Sequence, residues 1–384
     1  MKRLWVLLAI LAATTAGALY WASQYFSRQK QPILAVVDYT STSGEADGVA
    51  LVDLNPRSAT FGQILQKMPI GPGVSPHHLY YNRDRSKLYT TALGGERLYR
   101  IWLQEDRIAR ATPINTGACL VGEDLYFSED GSKFYLTCMG SSTVMIFDAH
   151  TDTLLDQIQA PAPEVPYIKH PHGISVNERL DRMIVTETIS PALDDPGTNV
   201  TVIEFSTGQV LSTHPVARAE ARPSAPVEVL FLPGQPIAYV TAMLDAALWK
   251  ITWNDQTVAL AMVDDGTPRG HSWPLEMYIG PDGHLYVSFA QPGVVNVYSL
   301  QDPHSPRLVR TLPADAGAHH IAFSADRQLM FVQNNLLNLD GMNAGTLTVV
   351  DLSSGRKIAT VDAFVEQGLQ PASLELLGEP TRPL

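Results

Sequence analysis

The sequence predicts an all-β fold: a seven-bladed β-propeller, closed by joining its N- and C-terminal strands and preceded by one hydrophobic N-terminal helix. Three observations carry this prediction. A unit of strand, polar turn and strand starts at Leu79, Leu125, Ile174, Val229, Met277 and Ile321, at intervals of 46, 49, 55, 48 and 44 residues. Each unit continues into a third strand, such as Thr-Val-Met-Ile-Phe-Asp from Thr143, and then a fourth, such as Lys-Ile-Ala-Thr-Val from Lys357. Four strands per repeat at this period describe a propeller blade. Finally, the remnants at the two ends complement each other. Residues 373–377 supply an innermost strand, and residues 34–39, 48–54 and 60–68 supply the outer three. Closure of this kind hides the backbone groups that the first and last sheets would otherwise leave unpaired.

In chain order, Lys2 and Arg3 precede an almost unbroken apolar run over residues 4–22. That run is close to the ~20 residues a membrane-spanning helix needs. Residues 1–30 therefore read as an export segment, either a signal peptide cleaved after Ala16-Gly17-Ala18 or an uncleaved signal anchor with Leu19, Tyr20 and Trp21 at the interface. With the positive charges ahead of the run, the remainder is expected in the periplasm. If uncleaved, the segment tethers it to the inner membrane. Residues 31–384 are expected to form the propeller as one domain.

The chain of 384 residues carries 27 basic and 39 acidic residues, a net charge of −12. No basic cluster is present, so a nucleic-acid partner is excluded on electrostatic grounds. The phosphate-cradling motif GxxxxGK[ST], the dinucleotide fingerprint GxGxxG, the nucleophile elbow GxSxG and the zinc motif HExxH are all missing. Cys119 and Cys138 flank one hairpin turn. They can pair in an oxidising compartment, or leave a thiolate near the channel as a copper ligand or redox group.

The chemistry concentrates at one register of the repeat. The residues just before each innermost strand ring the central channel at one face. They are His77-His78, Glu123-Asp124, His172-Gly173, Val227-Glu228, Leu275-Glu276, His319-His320 and Ala372-Ser373. Together with His170 and His271, seven of the 11 histidines fall at or beside these positions. Imidazole suits Zn, Cu, Fe and Ni, and three or four histidines with a carboxylate make a transition-metal site. His77, His78, His172, His319 and His320 are the candidate metal ligands. Because side chains alternate along a strand, one member of each pair, His77 and His319, is expected to converge with His172. His78 and His320 would then support them or serve as alternative ligands. Glu123, Glu228 and Glu276 are candidates to ligate, orient imidazoles or accept protons. His170 and His271 read as structural, and His150, His214, His284 and His304 as surface residues.

Residues 226–232 (PVEVLFL), 242–250 (AMLDAALWK), 299–308 (SLQDPHSPRL) and the inner strand from Met277 resemble the selenium-binding protein family. That family's bacterial members include copper-dependent methanethiol oxidases. Much of the pattern is shared with YVTN-type, lactonase-like propellers. The resemblance implies an exported copper enzyme that oxidises a small thiol such as methanethiol with dioxygen to an aldehyde, sulfide and peroxide. The sequence alone points to a metal-binding propeller, with copper or another transition metal, acting on a small molecule. A membrane-tethered scaffold that docks an envelope protein, or a lactonase-like hydrolase, are the alternatives.

Overall fold

The computed structural model describes residues 30–218, 222–254 and 257–378. The expected N-terminal helix lies outside them, and among the described residues no helix is long and apolar enough to cross a membrane. Seven four-stranded antiparallel sheets are arranged as blades. Blade 1 takes its inner strand, Leu369–Leu376, from the C-terminal end and its other three, Leu34–Ser41, Asp47–Asp53 and Ile64–Gly71, from the N-terminal end. The inner strands of blades 2 to 7 are Pro76–Tyr81, Gly122–Phe127, Pro171–Asn177, Pro226–Phe231, Ser272–Ile279 and Ala318–Phe323. The closing strand thus starts four residues earlier than the sequence pattern suggests. A single helical turn, Ala363–Glu366, leads into it.

Burial follows position in the blade. Inner strands are buried almost throughout, whereas outermost strands such as Ile64–Gly71 alternate between part-buried and exposed residues. A strand packed on both faces needs apolar residues at every position, and one packed on a single face needs them at every second. The apolar cores lie between neighbouring blades. Between blades 2 and 3, Tyr89, Phe127, Phe134 and Phe147 pack together, with Phe134 and Phe147 stacked at 4.5 Å between ring centroids. In blade 3 the first turn is tied by an acid at its corner. Asp130 accepts from Ser128 Oγ and the Ser132 N–H, and Gly131 takes the left-handed conformation (φ +69°) that the turn requires.

One irregularity repeats around the ring. In blade 2 the pairing jumps from Pro76 with Ala92 to Leu79 with Thr90, so His77 and His78 together oppose Thr91. The same two-against-one bulge holds Glu123-Asp124, His172-Gly173, Val227-Glu228, Leu275-Glu276 and His319-His320. In blade 1 the pairing steps from Pro371 to Ser373, across Ala372. A side chain opposite each bulge satisfies the second residue's N–H. Thr91, Thr137, Thr186, Thr241, Ser288 and Gln333 accept from the backbone N–H of His78, Asp124, Gly173, Glu228, Glu276 and His320. Asp38 does so for Ser373.

Several of these side chains also donate to the next blade. Thr137 Oγ1 reaches the His172 carbonyl at 2.5 Å, Thr186 reaches that of Val227 at 2.8 Å, and Thr241 that of Leu275 at 2.7 Å. Gln333 Nε2 reaches the Pro371 carbonyl at 2.8 Å. Neighbouring bulges are therefore fixed to one another as well as within their own sheets.

Cys119 and Cys138 are joined in a disulfide at the edge of this ring, with a Cα–Cα distance of 5.4 Å. No free cysteine remains, so a thiolate ligand is ruled out for the oxidised chain. Closing a loop of this length contributes on the order of 3 kcal/mol in the chain-entropy account.

Candidate metal centre

The bulges decide what faces the channel. Alternation along a regular strand would send one histidine of each pair away from the axis, as the sequence-based expectation had it. The extra residue in a bulge lets two consecutive side chains share a side. His77 and His78 are both buried, with ring centroids 4.1 Å apart, and so are His319 and His320, also at 4.1 Å. Blade 4 contributes only His172, because at Gly173 a Cβ would sit 2.6 Å from the Val227 carbonyl oxygen.

The five imidazoles, Glu123 and Glu276 fall into two groups that offer ligand atoms within 4.8 Å of one another. The first contains His77, His78, Glu123 and His172, and the second His78, Glu276, His319 and His320. Glu123 Oε2 stands 3.4 Å from His77 Nε2 and 3.6 Å from His172 Nε2. Glu276 Oε1 stands 3.8 Å from His319 Nε2, and its Oε2 4.0 Å from His320 Nδ1. His78 lies between the groups, its ring centroid 5.3 Å from that of His172 and 4.7 Å from that of His320.

Two phenols that the sequence reading passed over orient the middle of the cluster. Tyr80 Oη lies 2.9 Å from His78 Nδ1, and Tyr278 Oη 3.2 Å from His320 Nδ1. With the proton on Nδ1 and donated to the phenol oxygen, the His78 imidazole keeps Nε2 unprotonated, the state a metal ligand needs. The signal was present in the repeat: Tyr80 follows His78 by two positions and Tyr278 follows Glu276 by two, the strand period.

Electrostatics match the burial. Desolvation holds His77 and His78 well below the ordinary histidine range, with further lowering from neighbouring imidazoles. Burial takes His172 down to about 4 and His319 down to about 3. Burial, with Asp124 and Glu276 nearby, pushes Glu123 well above the carboxylate range. These four imidazoles are thus kept neutral at physiological pH. A cation would reverse the penalty on the carboxylates.

The remaining candidates lie elsewhere. Glu228 belongs to neither group. It is buried, accepts the Val229 N–H at 2.9 Å, and lines a cavity of about 470 Å³ together with Tyr80, Tyr126, Phe231, Met277 and Tyr278. Through Tyr80 and Tyr278 this cavity adjoins the histidine cluster. Asp124 is committed to the backbone, accepting the N–H groups of Leu125 and Ile174. His170 reaches the Met139 carbonyl and Asp195, and His271 meets Asn296 and Phe289, so neither enters the cluster.

No protein-family model matches this chain. It is 20% identical over 335 residues to methanethiol oxidase of Ruegeria pomeroyi, covering 76% of this chain and 75% of that protein. A hypothetical selenium-binding protein from Sulfolobus tokodaii superposes with a TM-score of 0.73 at 15% identity, over 91% of this chain and 95% of the other. The periplasmic gluconolactonase of Pseudomonas aeruginosa superposes at 0.67, also at 15% identity, over 91% and 100%. The chain is a seven-bladed propeller similar to selenium-binding proteins and to methanethiol oxidase.

Proposed function

We propose that the protein is an exported, metal-dependent oxidase of a small thiol, with copper as its metal. The observation that carries this reading is the buried carboxylate–imidazole cluster on the channel axis, in a chain similar to methanethiol oxidase. Its donors suit a transition metal. Among the described residues, His78 Nε2 and Glu123 Oε2 have no hydrogen-bond partner. Buried polar atoms without partners are costly, and a cation supplies what they lack.

His77, His78, His172 and Glu123 would hold the ion, with Tyr80 fixing the His78 ring. When bound, copper supplies the one-electron couple that dioxygen chemistry requires. The chain's own residues do the rest. The cavity beside Tyr80 and Tyr278 is large enough for a small molecule and lined by Phe231 and Met277, which suits an apolar methyl group. Glu228, on its wall, is placed to take the thiol proton. In the balanced reaction, methanethiol, dioxygen and water, one molecule of each, give one each of formaldehyde, hydrogen sulfide and hydrogen peroxide.

Export is supported by Lys2 and Arg3 ahead of the apolar run and by the Cys119–Cys138 disulfide, since such bonds persist in oxidising compartments. Metal analysis of untagged protein after copper loading, paired with oxygen-electrode assays on methanethiol, tests the proposal. The expected result is bound copper, with oxygen uptake matched by formaldehyde and sulfide. Less than about one tenth of an equivalent of metal would overturn it, and turnover of a sugar lactone without metal would favour the hydrolase reading instead.

A further inference from the structure

We infer that the cluster is a two-ion centre, with His77, His172 and Glu123 forming one site, His319, His320 and Glu276 the other, and His78 between them. This inference rests on the metal reading of the cluster. Seven donors surround the channel axis, more than a four-coordinate ion takes up. They are also partitioned. Each set has its own carboxylate, Glu123 within 3.6 Å of the Nε2 atoms of His77 and His172 and Glu276 3.8 Å from His319 Nε2.

Donors to one copper or zinc ion lie about 2 Å from it, and therefore no more than about 4 Å from one another. No one set of donor atoms within 4.8 Å of each other takes in all seven residues; the two sets share only His78. Two ions about 3.5–4 Å apart fit such a spread, as in known two-metal sites. His78 has Nδ1 on Tyr80, so only Nε2 is left to bind metal, and it completes one site at a time. The other site keeps three protein ligands and an open position, the arrangement of catalytic rather than structural metals. Buried Asp124 adds a third carboxylate beside Glu123, which helps offset the charge of a second cation.

The test uses the full chain without a His tag, stripped of metal and titrated with Zn(II), with bound metal read by elemental analysis and calorimetry. Two equivalents are expected. The double variant Glu276→Gln with His319→Ala should retain one, and so should Glu123→Gln with His172→Ala. Saturation of the wild type at one equivalent, with either double variant losing it, overturns the inference and leaves a single centre. No bound metal at all overturns the metal reading with it.

A second measurement needs no variant. On loading with Cu(II), the paramagnetic signal should rise through the first equivalent and then lose intensity per copper through the second, as neighbouring spins couple. A signal that scales with added copper up to two equivalents means the second ion is elsewhere and also overturns the proposal.

Discussion

The bulge of blade 2 and the bulge of blade 1 are the same backbone device with different contents. In blade 2 it carries His77-His78, stapled by Thr91, and in blade 1 Ala372-Ser373, stapled by Asp38. Both place two consecutive residues on the channel, and both are fully buried or nearly so. Blade 2 puts candidate metal ligands there. Blade 1 puts a small residue and a hydroxyl that turns back to its own sheet, in the blade that closes the ring. The contrast separates scaffold from chemistry: the ring of bulges makes a channel collar, and only the side chains chosen at each station make a site.

Substitutions at equivalent stations give the sharpest test of that separation. His78→Ala is expected to lower thiol oxidation more than ~100-fold, beyond the usual loss when only a supporting contact of a metal ligand is removed. Oxygen uptake at saturating methanethiol, with bound metal measured alongside, reads it out. Equal activity in this variant would break the comparison.

Asp38 makes the blade 1 collar sensitive to pH. Burial raises its carboxyl to about 6, opposed by hydrogen bonds from Ser373 and Thr90. A raised folded value means the unfolded chain gives up this proton first. The stabilising contribution is whole below pH ~4 and lost as pH rises through about 6. Relative to Asp38→Asn, the wild type should lose about 3 kcal/mol across that window. Urea unfolding of both proteins at pH 4 and pH 7 measures the difference, and parallel curves would remove Asp38 as its source.

Thr137→Val probes the staple itself. It strands the Asp124 N–H and the His172 carbonyl, at about 1–3 kcal/mol. Because His172 is displaced with its carbonyl, metal affinity should fall as well, and unchanged affinity would show that the ligands do not depend on the collar. Ser373→Ala is the smallest change expected, about 1 kcal/mol of stability with metal content unaltered. Thermal unfolding of the variant beside the wild type measures it, and a loss of metal from this variant would tie blade 1 to the site.

Much of this was legible in the sequence. The repeat of Leu-Tyr-Phe and Ile-Ala-Phe strands before four-residue turns gives the blade count, and the register places His77, His172 and His319 at one rim. The closing strand was read short, because Leu369–Pro371 precede the stretch that looks like a strand. The bulges were not legible. A bulge is set by a partner strand some 13 residues away, through Thr91 or Thr137, and local alternation says nothing of it. That one hidden irregularity is why both members of each histidine pair reach the centre, and why Tyr80 and Tyr278 lie against them.

Ring closure has a temporal consequence. Ser373 meets Asp38 across 335 residues of chain, and the donors come from five different inner strands. Contacts of such separation form late, after the entropy of a long loop has been overcome. An emerging polypeptide holds scattered histidines, and the cluster proposed to bind metal is complete only once its last strand has docked. On the metal reading, uptake would report completion, and a chain cut before Leu369 would lose metal binding together with its seal.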